Sequence, residues 1–141
     1  MTPDLRLHHV GILVGDIPDS VAQYVNRFGY QVKSDLIHDP KQQARVQFVR
    51  LPGDSVYLEF VTPDGPQSRL SGALSKGGGL HHLCYSADDI DSACADLRSK
   101  GMTLVRPPIP AVAFEGRRIA WLMGRDRLLM ELVERGPEGE L

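Results

Sequence analysis

Two stretches of this 141-residue chain repeat each other, and that duplication constrains the fold more than any other feature. The first runs from His8-His9-Val10-Gly11-Ile12 through Asp16-Ile17 to Phe28-Gly29. The second runs from His81-His82-Leu83-Cys84-Tyr85 through Asp89-Ile90 to Lys100-Gly101. Further on, Arg45-Val46-Gln47-Phe48-Val49 lies over Arg117-Arg118-Ile119-Ala120-Trp121, and Leu58-Glu59-Phe60-Val61 over Met130-Glu131-Leu132-Val133. His9 maps to His82 (82 − 9 = 73) and Glu59 to Glu131 (131 − 59 = 72), with a one-residue slip in the helical region between. A half of about 70 residues is marginal alone, so the two copies are expected to fold together.

By size the chain is one domain, residues 1–141, with a first module over about 6–62, a linker over 63–79 and a second module over about 80–133. A formal charge of −2 and a pI near 6.2 give no reason to expect nucleic acid or an anionic membrane as a partner. No apolar run is long enough to span a bilayer. Met1-Thr2-Pro3-Asp4 lacks the basic-then-apolar profile of a signal peptide, so a cytoplasmic location is expected. Cys84 and Cys94 form no paired framework or zinc-type spacing and read as small buried hydrophobes.

Each module reads as βαβββ. In the first, an apolar strand over Leu7–Val14 precedes Asp16-Ile17-Pro18-Asp19, a capping acid with an early proline. Val21, Tyr24, Val25 and Phe28 follow at helical spacing, and Gly29 stops the helix. Strands are predicted over Tyr30–Ile37, Ala44–Leu51 and Val56–Thr62, with Asp39-Pro40 at the first turn and Pro52-Gly53-Asp54 at a tight hairpin. Pro63–Gly79 is the linker, with a short helix at Ser68–Leu74 and a flexible Gly77-Gly78-Gly79. The second module gives a strand at Leu80–Ser86, a helix capped by Asp88/Asp89 and ended by Gly101, and strands at Thr103–Arg106, Arg117–Met123 and Leu128–Val133. Pro107–Phe114 reads as a loop able to act as a lid, and Glu134–Leu141 as a fraying polar tail. The fold class is α+β: paired βαβββ modules whose two four-stranded mixed sheets form a metal-centred cleft.

Glu59 and Glu131 each sit mid-strand between apolar neighbours. Side chains alternate faces along a strand, so Leu58 and Phe60 pack one way and Glu59 points the other; Met130, Leu132 and Glu131 do the same. A carboxylate in such a setting requires a partner or a metal, since an isolated buried charge costs several kcal/mol. The doublets His8-His9 and His81-His82 open equivalent strands, and alternation lets one member of each face inward; periodicity alone does not say which. Two imidazoles and two carboxylates suit a divalent transition ion (cobalt, nickel, manganese, iron or zinc) better than magnesium or calcium, and open coordination positions fit catalysis.

These features resemble the vicinal oxygen chelate superfamily (glyoxalase, bleomycin resistance, dioxygenase) and, within it, the methylmalonyl-CoA epimerases. The resemblance rests on His9-Val10-Gly11, Gly79-Leu80-His81-His82, Asp88-Asp89-Ile90-Asp91, Gly101 and Leu129-Met130-Glu131-Leu132, and spans about Leu7 to Val133. It implies His9, Glu59, His82 and Glu131 as metal ligands, the second histidine of each pair being the ligand. It also implies a homodimer and a small carbonyl substrate such as an acyl thioester. Two departures stand out. Glu59 occupies a position where the epimerases commonly carry Gln, which is more like glyoxalase I. The position of the epimerases' catalytic Glu, counted back from Pro52, holds Gln47, which cannot act as a base but could orient a substrate oxygen.

The implied chemistry is proton abstraction α to a metal-chelated carbonyl, with Glu131 as the first base and Glu59 as the second. Arg117 and Arg118 are candidates for contact with an anionic substrate, and Tyr85 and Trp121 for the cleft wall or the core. A glyoxalase I-like lactoylglutathione lyase and a non-enzymatic antibiotic-binding resistance protein are the alternatives. Extradiol dioxygenases and fosfomycin-modifying enzymes usually place His at the Glu59 position and rank lower.

Overall fold

The computed structural model describes residues 4–137 and 141. The reading of Met1-Thr2-Pro3, and residues 138–140 of the polar tail, lie outside the described residues. The chain divides into two compact units, His9–His81 and Met1–His8 with His82–Leu141; the division falls inside each histidine doublet.

In the first of these units, strand β1 (Leu5–Leu13) enters at His9 and leads into helix α1 (Ile17–Phe28). The Asp16 side chain accepts from the Asp19 N–H at 3.0 Å, Pro18 lies in the first turn, and Gly29 ends the helix in the left-handed region at φ 80°. Then come β2 (Gln31–Val32), β3 (Ile37–Asp39), β4 (Ala44–Arg50) and β5 (Tyr57–Pro63). The single strand predicted over Tyr30–Ile37 is therefore two short pieces, both antiparallel to β4. Ser34 causes the break. Its hydroxyl accepts from the Phe48 N–H at 3.0 Å and donates to the Asp35 carbonyl at 2.8 Å, so a side chain replaces the backbone ladder there.

Helix α2 (Arg69–Ser75) is capped by Ser68, whose hydroxyl accepts from the Leu70 N–H. The triple glycine is more than a loose joint. Gly78 has φ 65°, and a Cβ there would meet the Leu13 carbonyl oxygen at 2.6 Å, so a closely approaching backbone demands glycine.

The other unit receives β6 (Gly79–Ala87) and continues through α3 (Ile90–Ser99), β7 (Thr103–Pro110), a 3-10 turn at Val112–Phe114, β8 (Arg118–Met123) and β9 (Leu129–Glu134). Asp89 caps α3 by accepting from the Ser92 N–H, as Asp16 caps α1. The predicted lid over Pro107–Phe114 is mostly strand. β7 runs to Pro110 with register shifts on either side of Arg106, and Ala111 and Phe114 are buried. Prolines are tolerated because β7 is an edge strand.

In the first unit the strands run β2-β4-β5-β1, with β3 beside β4, and in the other they run β6-β9-β8-β7. β1 with β5 and β6 with β9 are parallel; the other registered pairs are antiparallel. The βαβββ order and the mixed strand pairing thus match expectation. Helix α1 covers Val49 and Phe60 with Ile17, and α3 covers Ala120, Leu122 and Leu132 with Ile90, Ala93 and Cys94. Among the described residues no helix is long and apolar enough to cross a membrane.

The predicted fraying tail is anchored at its start. The Arg135 N–H donates to the Ala87 carbonyl at 2.9 Å, and its guanidinium engages Asp4, Ser86 and Asp88. Arg118 bridges Asp91 and Glu134, and its hydrogen bonds hold the Glu134 carboxyl below the usual carboxylate range. A lowered native pKa stabilises the fold above the unfolded value, about pH 4.3, and that contribution is lost as pH falls through the native value. Glu134→Gln is therefore expected to lower the melting temperature at pH 7 and to cost less at pH 3. An equal difference at both pH values, read by thermal melts, would contradict this.

Candidate metal centre

Each half of the site is built by one parallel strand pair. Gly11 of β1 faces Glu59 of β5, and Cys84 of β6 faces Glu131 of β9. In both, the histidine precedes the residue opposite the glutamate by two positions, so His and Glu share a face as diagonal neighbours. His9 Nε2 lies 3.4 Å from Glu59 Oε1, and His82 Nε2 lies 3.4 Å from Glu131 Oε1. All four are buried, with relative exposures of 0% for His9, 6% for Glu59, 2% for His82 and 3% for Glu131.

An aromatic ring backs each pair. Phe48 is the cross-strand partner of Glu59 and meets the His9 ring edge-on at 5.3 Å. Trp121 is the cross-strand partner of Glu131 and meets the His82 ring edge-on at 4.9 Å. Phe48 and Trp121 are thus equivalent. That shifts the sequence alignment of the third strand by one residue, since the duplication as first read sets Phe48 over Ala120.

The shift corrects the placement of Gln47. It pairs with Phe60, on the sheet face opposite Glu59, and its amide donates to the Ser34 carbonyl at 3.0 Å. The structure does not bring it to the four ligands. Arg118 is committed to Asp91 and Glu134, and Arg117 donates to the carbonyls of Phe114 and Glu134. Tyr85 packs with the α3 core. Cys84 and Cys94 are buried, and burial pushes the Cys94 thiol up.

One ligand atom from each of His9, Glu59, His82 and Glu131 lies within 4.8 Å of the others. Hydrogen-bonded N–H···O pairs sit nearer about 2.7–3.2 Å. Adjacent ligands of one ion with bonds of about 2.0–2.2 Å are separated by roughly 3.0–3.4 Å. The 3.4 Å His–Glu spacing in both halves fits a shared ion better than two hydrogen bonds. Two neutral imidazoles and two carboxylates also match a divalent cation in charge, which removes the penalty of burying both acids.

The family described as the Glyoxalase/Bleomycin resistance protein/Dioxygenase superfamily matches residues 8–121. This chain belongs to that superfamily. The ethylmalonyl-CoA/methylmalonyl-CoA epimerase of Cereibacter sphaeroides is 32% identical over 123 residues, 86% of this chain and 90% of that protein. The mitochondrial methylmalonyl-CoA epimerase of Homo sapiens is 32% identical over 133 residues, 92% and 73% of the two chains. The crystal structure of methylmalonyl-CoA epimerase from Mycobacterium tuberculosis has a TM-score of 0.78 at 29% identity, covering 94% of this chain and 89% of that one.

The alternation of Val46, Phe48 and Arg50 along β4 carried a signal that sequence reading passed over. Once Glu59 is placed inward, its antiparallel partner strand must present these same three side chains on that face.

Proposed function

We propose that this protein is a divalent-metal-dependent epimerase acting at the carbon α to an acyl thioester carbonyl, of the methylmalonyl-CoA epimerase type. The observation that carries it is the duplicated His–Glu pair, buried and gathered to a common centre. The similarity to two CoA-thioester epimerases over most of the chain narrows the reaction within the superfamily. His9, Glu59, His82 and Glu131 would hold a divalent ion, and the chemistry it would supply is Lewis acidity toward a substrate carbonyl.

The protein's own groups do the rest. Phe48 and Trp121 set the histidine rings and keep water away from them. Glu131 takes the α-proton, and Glu59, its counterpart in the repeat, handles the proton on the other face. Gln47 has no part, because its side chain serves the Ser34 carbonyl. A homodimer, which its mass in solution tests, and a cytoplasmic location belong to the same proposal.

The test is solvent deuterium incorporation into the α-position of methylmalonyl-CoA by metal-loaded protein, with both epimers formed. No exchange across a panel of branched malonyl thioesters would remove the proposal. The presence of Glu59 favours one second reading, a lactoylglutathione lyase. Conversion of the glutathione–methylglyoxal adduct without thioester exchange would establish that reaction instead.

A further inference from the structure

Arg50, Tyr57 and His9 form one row across three neighbouring strands. Arg50 of β4 is the register partner of Tyr57 in β5, and Tyr57 is the register partner of His9 in β1. The next row along is Phe48, Glu59 and Gly11. Cross-strand partners share a face, so Arg50 projects from the same face as the His9–Glu59 pair. With strands about 4.8 Å apart, its Cα is roughly 10 Å from that of His9.

The guanidinium is held by neutral groups only. Nη1 donates to the Tyr57 hydroxyl at 2.8 Å, and Cζ lies 4.6 Å over the Tyr57 ring. Tyr57 is itself buried and braced edge-on by Phe48. The Arg50 Nε is buried and has no hydrogen-bond partner among the described residues. Arg45, Arg118 and Arg135 each reach a carboxylate, whereas among the described residues no acid pairs with Arg50. A half-buried cation fixed in orientation and left without a counter-charge is a preformed anion-recognition group.

We infer that Arg50, oriented by Tyr57, is a substrate-specificity residue that binds a carboxylate borne on the acyl group. The inference rests on the thioester epimerase reading above. The acyl carboxylate is favoured over a phosphate of the thiol carrier, because Arg50 is one strand beyond the partner of a metal-site histidine, whereas the pantetheine arm separates carrier phosphates from the thioester by many bonds.

The experiment compares wild-type protein with Arg50→Met and Arg50→Lys on two acyl groups. One is 2-methylmalonyl, which carries the carboxylate; the other is 2-methylacetoacetyl, an uncharged acyl group with a comparable pair of oxygens. Each is presented on coenzyme A and on N-acetylcysteamine, which has no phosphate. Calorimetric binding is read alongside α-proton exchange. Arg50→Met is expected to weaken binding of the methylmalonyl thioester roughly 10- to 100-fold on either carrier, leaving the neutral acyl group within about twofold. Arg50→Lys is expected to recover part of the loss.

Equal weakening of both acyl groups, or no weakening, would overturn the inference, as would a loss confined to coenzyme A thioesters. Wild-type protein that binds the methylmalonyl thioester selectively through Arg50 but exchanges no proton would sink the epimerase reading and leave the recognition role standing.

Discussion

Glu131→Gln should abolish α-proton exchange from the face of the substrate that Glu131 serves, lowering that enantiomer's exchange rate by about 10³-fold, in the middle of the range for loss of a positioned base. Glu131 is 3% exposed, lies 3.4 Å from His82 Nε2 and is walled by Trp121 on the adjacent strand. A carboxamide keeps the shape and one oxygen donor but cannot take a proton. Glu59→Gln makes the same chemical change at the equivalent position. The mirror-image outcome is expected. With two bases, each carboxylate handles one face, so loss of Glu59 should stop epimerisation while one enantiomer still exchanges its proton with Glu131. Chiral analysis of deuterated product, with metal content measured on each variant, separates lost proton transfer from lost metal. Full exchange in Glu131→Gln at normal metal content would place the base elsewhere.

Much of this site was legible because period and duplication reinforce each other. Period 2 in Leu58-Glu59-Phe60 and Met130-Glu131-Leu132 sets each acid opposite its apolar neighbours, and the structure buries those neighbours against α1 and α3. Helix limits followed from local chemistry, Asp16 and Asp89 at the starts and Gly29 at the end of α1. The doublets yielded to structure rather than to periodicity, since both histidines of a pair begin apolar strands. The errors came where a side chain or an edge overrode pattern. Ser34 takes the Phe48 N–H and breaks a strand that looks continuous. Pro107, Pro108 and Pro110 suggest a loop, but β7 needs no hydrogen-bond donors along its outer side. Gln47 was misplaced because a one-residue shift in a strand turns every side chain to the other face. Counting from Pro52 offered no check on that shift, whereas the register with Glu59 does.

Stripping the protein of divalent metal should lower its melting temperature by about 12–16 °C relative to protein saturated at a thousandfold excess over Kd, as estimated from a linkage term of about 4 kcal/mol and roughly 3–4 °C per kcal/mol at this chain length. Glu59 and Glu131 are almost wholly buried, each with an imidazole of its own half at 3.4 Å. Without a cation, each desolvated carboxylate carries the cost of burying a charge. Binding an ion to the native state alone therefore stabilises by mass action, and the melting temperature should climb with the logarithm of metal concentration. Nickel and cobalt should act at lower concentrations than manganese, following the usual order of affinities for nitrogen and oxygen donors. Glu131→Ala and His82→Ala should melt at temperatures nearly independent of metal, because each leaves a half-site unable to complete the set. Thermal melts across a metal titration read all of this directly. A wild-type melting temperature that ignores both chelator and added metal would mean that the four buried groups hold no ion. That result would favour a binding protein that works without metal over an enzyme that needs it.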